Sequence, residues 1–281
     1  MSDANPYQPP AARLQRHEAP TGEKYQLAEV PRARTFVRGW RWITEGFDYF
    51  LRAWRGWAGA MVIGIAIMVV VSFIPVVNLV FDALTYQVWI AGIAIGCRAQ
   101  SEWQPFRVSH LFAGFRNRPG VLILLSFISY AAILLVVMGV MFAILPGWLD
   151  LPGFTGADGP FSPQFLIAVL LSMALTIPVL MATFFAPHLL VLHRVSLIQA
   201  IRLSLVGCLK NIMPFLLWGI LLMAIAAIVG VIVMLPAVLL GLPTVAILLG
   251  LVFAILAPPT MFASIYVAYE DIFLLDKEFE A

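Results

Sequence analysis

Charge is what this chain has little of. No lysine or arginine occurs between Arg118 and Arg194, and none between Lys210 and Lys277, in a protein of 281 residues that has 17 of them. An ionised side chain at the centre of a bilayer costs at least ~2.5–3.5 kcal/mol, so silent intervals dense in Leu, Ile, Val, Ala and Phe mark membrane spans. Only 11% of the residues are charged, which excludes an ordinary soluble domain, where the fraction is about 25%. Cysteine is nearly absent too. Cys97 and Cys208 give no disulfide framework, and both sit at the ends of apolar runs beside basic residues, where small buried thiols near a reducing face are expected.

Catalytic patterns are missing as well. There is no Gly-rich phosphate loop, no His-Glu-x-x-His zinc motif and no Gly-x-Ser-x-Gly elbow. His188 and His193 are five apart, a spacing that does not stack two ligands on one helical face, so no metal site is expected. The basic residues are scattered and balanced by Glu45, Asp48 and Glu102, a poor footprint for nucleic acid. The expectation is a protein without cofactor or metal, and not an enzyme.

What the chain has is grease in a regular pattern. Hydrophobic residues make up 62% and the mean hydropathy is +0.96. Apolar runs at about 57–77, 80–97, 120–145, 164–192, 214–240 and 243–268 predict six spans. The second is weakest, diluted by Asp82, Thr85, Tyr86 and Gln87, and a re-entrant hairpin is the alternative there. Arginine and lysine sort cleanly among the connections. Arg32 to Arg55, Arg98 to Arg118, and Arg194 to Lys210 fall in one set, while the alternate connections carry only Asp82, Asp150 and Asp158. Short cytoplasmic loops collect positive charge, so this sorting predicts six spans with both termini cytoplasmic.

The first residues lack the apolar core of a cleavable signal, and their Pro-rich, polar composition predicts a disordered cytoplasmic tail over 1–34. A helical membrane domain follows at 35–273, then a short acidic cytoplasmic tail at 274–281. Each basic connection reads as an amphipathic helix leading into an apolar hairpin, giving three helix-plus-hairpin units. In the first, Ile43, Phe47, Phe50 and Trp54 share one face; in the third, Ser196 and Gln199 form a capping-box pattern. Aromatic and basic helices of this kind suit a headgroup surface. Arg41, Arg52, Arg55, His110, Arg116, Arg118, Arg202 and Lys210 are therefore the candidates for contact with anionic lipid or a partner, either another membrane protein or a second copy of this chain.

The Asn5-Pro6-Tyr7-Gln8-Pro9-Pro10 start, the run Gly39 to Phe47, Gly96-Cys97-Arg98-Ala99, the motif His110-Leu111-Phe112-Ala113-Gly114-Phe115 and the run Tyr266 to Phe273 occur together in order. In these the chain resembles a family of proteobacterial six-span inner-membrane proteins without an assigned activity. It is also loosely similar to the membrane domain of some glycerophosphodiester phosphodiesterases, through the helix-plus-hairpin pattern. The resemblance implies fold and location but supplies no catalytic residues.

Two readings of function follow, with a third behind them. The first is a non-enzymatic module that binds lipid or a partner at the cytoplasmic face. The second is a transporter or lipid-translocating protein whose cavity, around Pro178, Pro187, Pro258 and Pro259, would draw on Ser126, Ser129, Tyr130, Ser172, Thr176 and His188; these four prolines and Pro236 are expected to kink or unwind their helices. The third is an intramembrane enzyme of lipid metabolism. Small-xxx-small faces at Ala60/Gly64, Gly92/Gly96 and Ala226/Gly230 are expected to let helices approach closely.

Overall fold

The computed structural model describes residues 25–145 and 162–275. Among these the chain is helical almost throughout: α1 Arg38–Arg52, α2 Trp54–Ser72, α3 Pro75–Ser101, a 3₁₀ helix Val108–Phe115, α4 Pro119–Ile144, α5 Pro163–Phe184, α6 Ala186–Leu192, α7 Leu197–Lys210, α8 Ile212–Leu239 and α9 Pro243–Phe273. Proline stands in the first turn of α3, α4, α5, α6 and α9, where its missing N–H costs nothing. Six segments are long and apolar enough to cross a bilayer: α2, α3 from Val80, α4, α5 together with α6, α8 to Ile232, and α9. The protein is an all-α polytopic membrane protein.

The second span is one continuous helix, not a re-entrant hairpin. Its polar groups are absorbed locally. The Thr85 hydroxyl donates to the Phe81 carbonyl at 2.7 Å and accepts from Trp89 Nε1 at 3.0 Å, and the Gln87 backbone N–H donates to Ser126 Oγ of α4 at 3.0 Å.

The three expected units are present, but each short helix leaves its own hairpin and packs mainly on the preceding one, taken cyclically. α1 lies on α9 and α8, the 3₁₀ helix on α3 and α2, and α7 on α5 and α6. This exchange decides where the small residues go. A Cβ on Gly92 would stand 2.7 Å from the His110 carbonyl oxygen, and one on Gly96 would stand 2.9 Å from His110 Cβ. The Gly92/Gly96 face therefore receives the 3₁₀ helix and not another span. Gly64 likewise faces Leu111, whereas a Cβ on Gly230 would meet nothing within 4 Å. Neighbouring hairpins pack through α9 with α2 and α3 with α4, but no comparable packing joins α5 to α8 among the described residues. Those two meet at the aromatic cluster where the Phe184 ring lies 5.6 Å from Phe215 and 6.5 Å from Trp218.

Of the prolines expected to kink or unwind helices, Pro178, Pro236, Pro258 and Pro259 lie inside continuous helices. Only at Pro187 does the helix stop, at Phe185, and restart as α6. The break is sealed from within. Ser204 of α7 accepts the Phe185 N–H at 2.9 Å and donates to the Met181 carbonyl at 2.7 Å, so a hydroxyl is spliced into what would be one i→i−4 bond. Ser204 is fully buried. Ser204→Ala strands a donor and an acceptor away from water, and should lower stability by about 1–3 kcal/mol, read as a reduced unfolding midpoint in detergent.

Order begins at least ten residues earlier than the composition of the tail implies. Residues 25–34 form an extended strap beside the end of α9, with Leu27 bridged to Leu274. Ala28 N donates to Phe273 O at 2.8 Å, Arg32 N to Ile272 O at 2.9 Å, and Leu275 N to Gln26 O at 3.1 Å. Tyr25, Ala28 and Pro31 are buried. Pairing with a chain end too short to be a strand of its own leaves no periodicity to detect. The remainder of both expected tails, and most of the expected Pro146–Pro163 connection, lie outside the described residues.

Candidate functional site

The basic connections converge at one end of the bundle. The Arg98 guanidinium stacks over the Tyr25 ring, 3.0 Å from its centroid. Trp57 Nε1 donates to Gln100 Oε1 at 3.0 Å, and Lys210 Nζ to the Pro31 carbonyl at 3.1 Å. Arg118 donates through Nη1 to the carbonyls of Leu190 and Val195 at 3.2 and 2.9 Å. Such contacts require every basic connection to share one face, as the charge sorting implies.

At the centre of that end stands Asp271, buried in the last turn of α9. Its Oδ2 accepts from Arg38 Nε at 2.7 Å and from the buried Trp42 indole at 2.9 Å, and its Oδ1 lies 3.1 Å from Arg34 Nε. Arg34 also donates through Nε to the Asp271 carbonyl at 2.8 Å. Asn211, fully buried where α7 meets α8, completes the joint. It accepts the Arg34 N–H at 2.8 Å and donates through Nδ2 to the carbonyls of Arg32 and Gly207, each at 2.8 Å. Asp271 falls in the Tyr266 to Phe273 run and Arg34 and Arg38 in the first basic connection, but none of these, nor Asn211, is among the candidate site residues that the sequence offers. The one signal available was that Asp271 is a carboxylate at the end of a long apolar helix, which needs a partner.

A second polar cluster lies alongside. Ser101 Oγ is 3.1 Å from Tyr25 Oη and 3.3 Å from Tyr266 Oη, and His193 Nε2 is hydrogen bonded to Tyr269 Oη. The imidazole of His193, just past the fourth span, is pushed down to about 4 by burial and by Arg98 nearby. It is neutral at physiological pH. His188 stacks on Tyr269 with ring centroids 5.3 Å apart and is buried, its Nδ1 without a hydrogen-bond partner.

The candidate lipid contacts separate into two groups. Arg41, Arg52, Arg55, Arg116 and Arg202 are exposed. Lys210 is exposed as well, although its Nζ donates to the Pro31 carbonyl, whereas Arg118 is half-buried and turned onto the Leu190 and Val195 carbonyls, and His110 is a capping residue. Its Nδ1 accepts the Arg107 N–H at 3.1 Å, while burial and Arg107 hold its imidazole below its ordinary value, which disfavours the cation that a phosphate contact would use.

α1 carries two of these exposed arginines, Arg41 and Arg52, on a three-sided helix. Gly39, Trp42, Ile43, Gly46 and Phe50 are buried against α8 and α9. Trp40, Phe47 and Leu51 remain exposed, and at 100° per residue they fall within about 20° of one line. Arg41, Asp48 and Arg52 fall beyond that line, on the side away from the core. Past the break at Ala53, Trp54 and Arg55 open α2 and are exposed too. The expected single face is therefore divided: Ile43 and Phe50 go inward, Phe47 and Trp54 outward. Glycines at 39 and 46 move the inward face, because they let α1 touch the backbone of α8 and α9. Arg52 lies 5.9 Å from the rings of both Tyr49 and Trp103, and Arg55 lies 5.4 Å from Trp54. Trp103 is 87% exposed and sits at φ 64, a left-handed conformation that a bulky residue adopts only under constraint.

The cavity candidates are spread over α4, α5 and α6. Ser126 and Ser129 donate to the Leu122 and Leu125 carbonyls of their own helix at 3.0 and 2.7 Å. Tyr130 is exposed, Thr176 half-buried, and Ser172, buried without a hydrogen-bond partner, lies more than four helical turns from His188 along α5 and α6. Among the described residues no three or more His, Cys, Asp or Glu side chains group as a metal site. Cys97 and Cys208 are both buried, and burial pushes the Cys208 thiol up to about 12.

No family model matches this chain, and no solved structure matches it. It is similar to a probable inner membrane protein of Burkholderia thailandensis, with 29% identity over 264 residues that cover 88% of this chain and 94% of the relative.

Proposed function

We propose that the protein is a non-enzymatic module of the bacterial inner membrane that holds anionic lipid, or a membrane partner, at its cytoplasmic face. The observation that carries this reading is the bare apolar line of α1, Trp40, Phe47 and Leu51, lying beside exposed Arg41 and Arg52 and followed by exposed Trp54 and Arg55 at the start of α2. An apolar stripe that the fold leaves uncovered favours the boundary between headgroups and acyl chains, and arginine one side-chain length away meets lipid phosphate there. Trp103 adds an aromatic anchor of the type found at that depth. The relative, a probable inner membrane protein, and the likeness to the proteobacterial family support the inner-membrane location, and the sorting of the basic connections supports termini on the cytoplasmic side.

Arg41→Gln, Arg52→Gln and Arg55→Gln combined should lower the anionic lipid retained by the purified protein at least twofold, counted by mass spectrometry of co-purifying lipids. The unfolding midpoint should move little, because these side chains are exposed. Unchanged lipid content would sink the reading.

A second reading, lipid translocation, draws on the sparse packing between α5 and α8 among the described residues. The break at Pro187 does not add to it. Ser204 fills the gap that a cargo path through that break would need.

A further inference from the structure

Three elements meet at one corner of the cytoplasmic end: the last turn of α1, the first turn of α2 and the turn that follows α3. Gln100 ties them, since its Oε1 accepts the Trp57 indole N–H at 3.0 Å and its Nε2 donates to the Tyr49 carbonyl at 2.9 Å. The Trp57 and Phe106 rings stack with centroids 3.9 Å apart, and a Cβ on Gly56 would run into the Phe106 carbonyl and stand 3.6 Å from the Arg107 nitrogen. The corner is a fixed frame.

On this frame two arginines are held by rings. Arg52 has Asp48 one helical turn behind it, yet its guanidinium lies 5.9 Å from the ring centroids of both Tyr49 and Trp103, and that of Arg55 lies 5.4 Å from the Trp54 ring. A guanidinium stacked on a ring keeps its edge N–H groups for an anion and loses less freedom on binding one. Arg41, Arg116 and Arg202 are exposed too, but among the described residues no ring holds them. Exposed Arg107 adds a third positive charge, whereas Glu102 is drawn to Arg98 at 2.9 Å. The corner therefore keeps a positive excess where spans α2 and α3 end, the depth of lipid phosphate.

Trp103 sits on the frame under strain. It follows the C-cap of α3, where the Trp103 N–H donates to the Gln100 carbonyl at 3.0 Å and the Gln104 N–H to the Ala99 carbonyl at 2.9 Å, the closing bonds of a helix end at which glycine is favoured. Glycine would suit the positive φ better, and the bare indole gives the fold little buried packing in return. What it gives is a ring behind Arg52.

We propose that this corner is a discrete site for one anionic phospholipid, its phosphate taken by Arg52 and Arg55, with Trp103 as the positioning residue that backs Arg52. The proposal rests on the lipid reading of the cytoplasmic face and narrows it from a surface to a place.

The test uses the full chain in nanodiscs of phosphatidylcholine titrated with phosphatidylglycerol, with bound lipid counted by native mass spectrometry. Arg52→Gln with Arg55→Gln should weaken phosphatidylglycerol about tenfold or more, whereas Arg116→Gln with Arg202→Gln, which removes the same charge, should weaken it less than about twofold. Equal weakening by both pairs would keep the lipid reading and overturn the site. No weakening by either pair would overturn both. Trp103→Gly should weaken the lipid about threefold while raising the unfolding midpoint in detergent, and Trp103→Phe, which keeps a ring, should bind as wild type does. Unchanged affinity in Trp103→Gly, or a lowered midpoint, would make Trp103 a packing residue and remove it from the site.

Discussion

Asp271→Ala should be among the most damaging single substitutions in the protein, lowering its stability by about 3 kcal/mol, at the lower end of what removing one partner of a buried ion pair costs. The carboxylate is the shared acceptor of Arg34, Arg38 and the Trp42 indole. Alanine would leave two guanidiniums facing each other and a buried N–H with nothing to accept it. The lower end applies because the arginine side chains keep 19% and 26% of their exposure, so water reaches them. Asp271→Asn still offers an oxygen to Trp42 while losing the charge, and should cost roughly half as much. Because Arg34 also fixes the strap, trypsin should cut at Arg32 and Arg34 of Asp271→Ala faster than in wild type. A wild-type melting curve together with a wild-type digestion pattern would remove Asp271 from its central place.

Span number and position were legible because bilayer physics leaves a one-dimensional trace. Absence of charge over about 20 residues is a property of local sequence, and so is the alternation of basic and acidic connections. Even the weak second span was recoverable from the charge of its flanks, since Arg98 could not otherwise share a side with Arg55. The interfacial helices were visible too, but not their destinations. Which hairpin receives α1 depends on Gly39 and Gly46 meeting Trp218 and Ser264, contacts between positions more than 170 residues apart that leave no period in either segment. For the same reason Phe47 and Trp54 looked like companions of Ile43 and Phe50. A helix with two apolar faces, one for protein and one for lipid, gives the same alternation as a helix with one broad face.

The central joint was hidden for another reason. Asp271 and Asn211 lie next to apolar runs where lone polar residues read as helix ends, and the strap has the composition of a tail. Their meaning is entirely relational. Asn211 makes sense only once Arg32 and Arg34 come within 2.8 Å of its amide. The Pro187 break shows the converse. Proline correctly marks where the α5 ladder is interrupted, yet the residue that decides whether the interruption is open or sealed, Ser204, comes from a later helix.

The second large effect is expected at Gly46, where α1 crosses α9. A Cβ there would stand 2.6 Å from the Ser264 nitrogen, 2.8 Å from its Cα and 2.9 Å from its Cβ. Two of these are backbone atoms of a helix packed on several sides, so no flexible side chain can swing away and α1 itself must lift. Alanine gains about 1 kcal/mol of helix propensity over glycine, whereas overpacking a close crossing costs about 1–3 kcal/mol and would also stretch the Trp42 and Arg38 bonds to Asp271. The crossing wins, and Gly46→Ala should lower the unfolding midpoint even though it strengthens the helix it sits in. Gly139→Ala in α4 is the matched control. A Cβ there meets nothing within 4 Å, so propensity acts alone and the midpoint should hold or rise. If Gly46→Ala were instead as harmless as Gly139→Ala, α1 would not be seated on α9. The uncovered line of Trp40, Phe47 and Leu51 would then have no fixed direction to face.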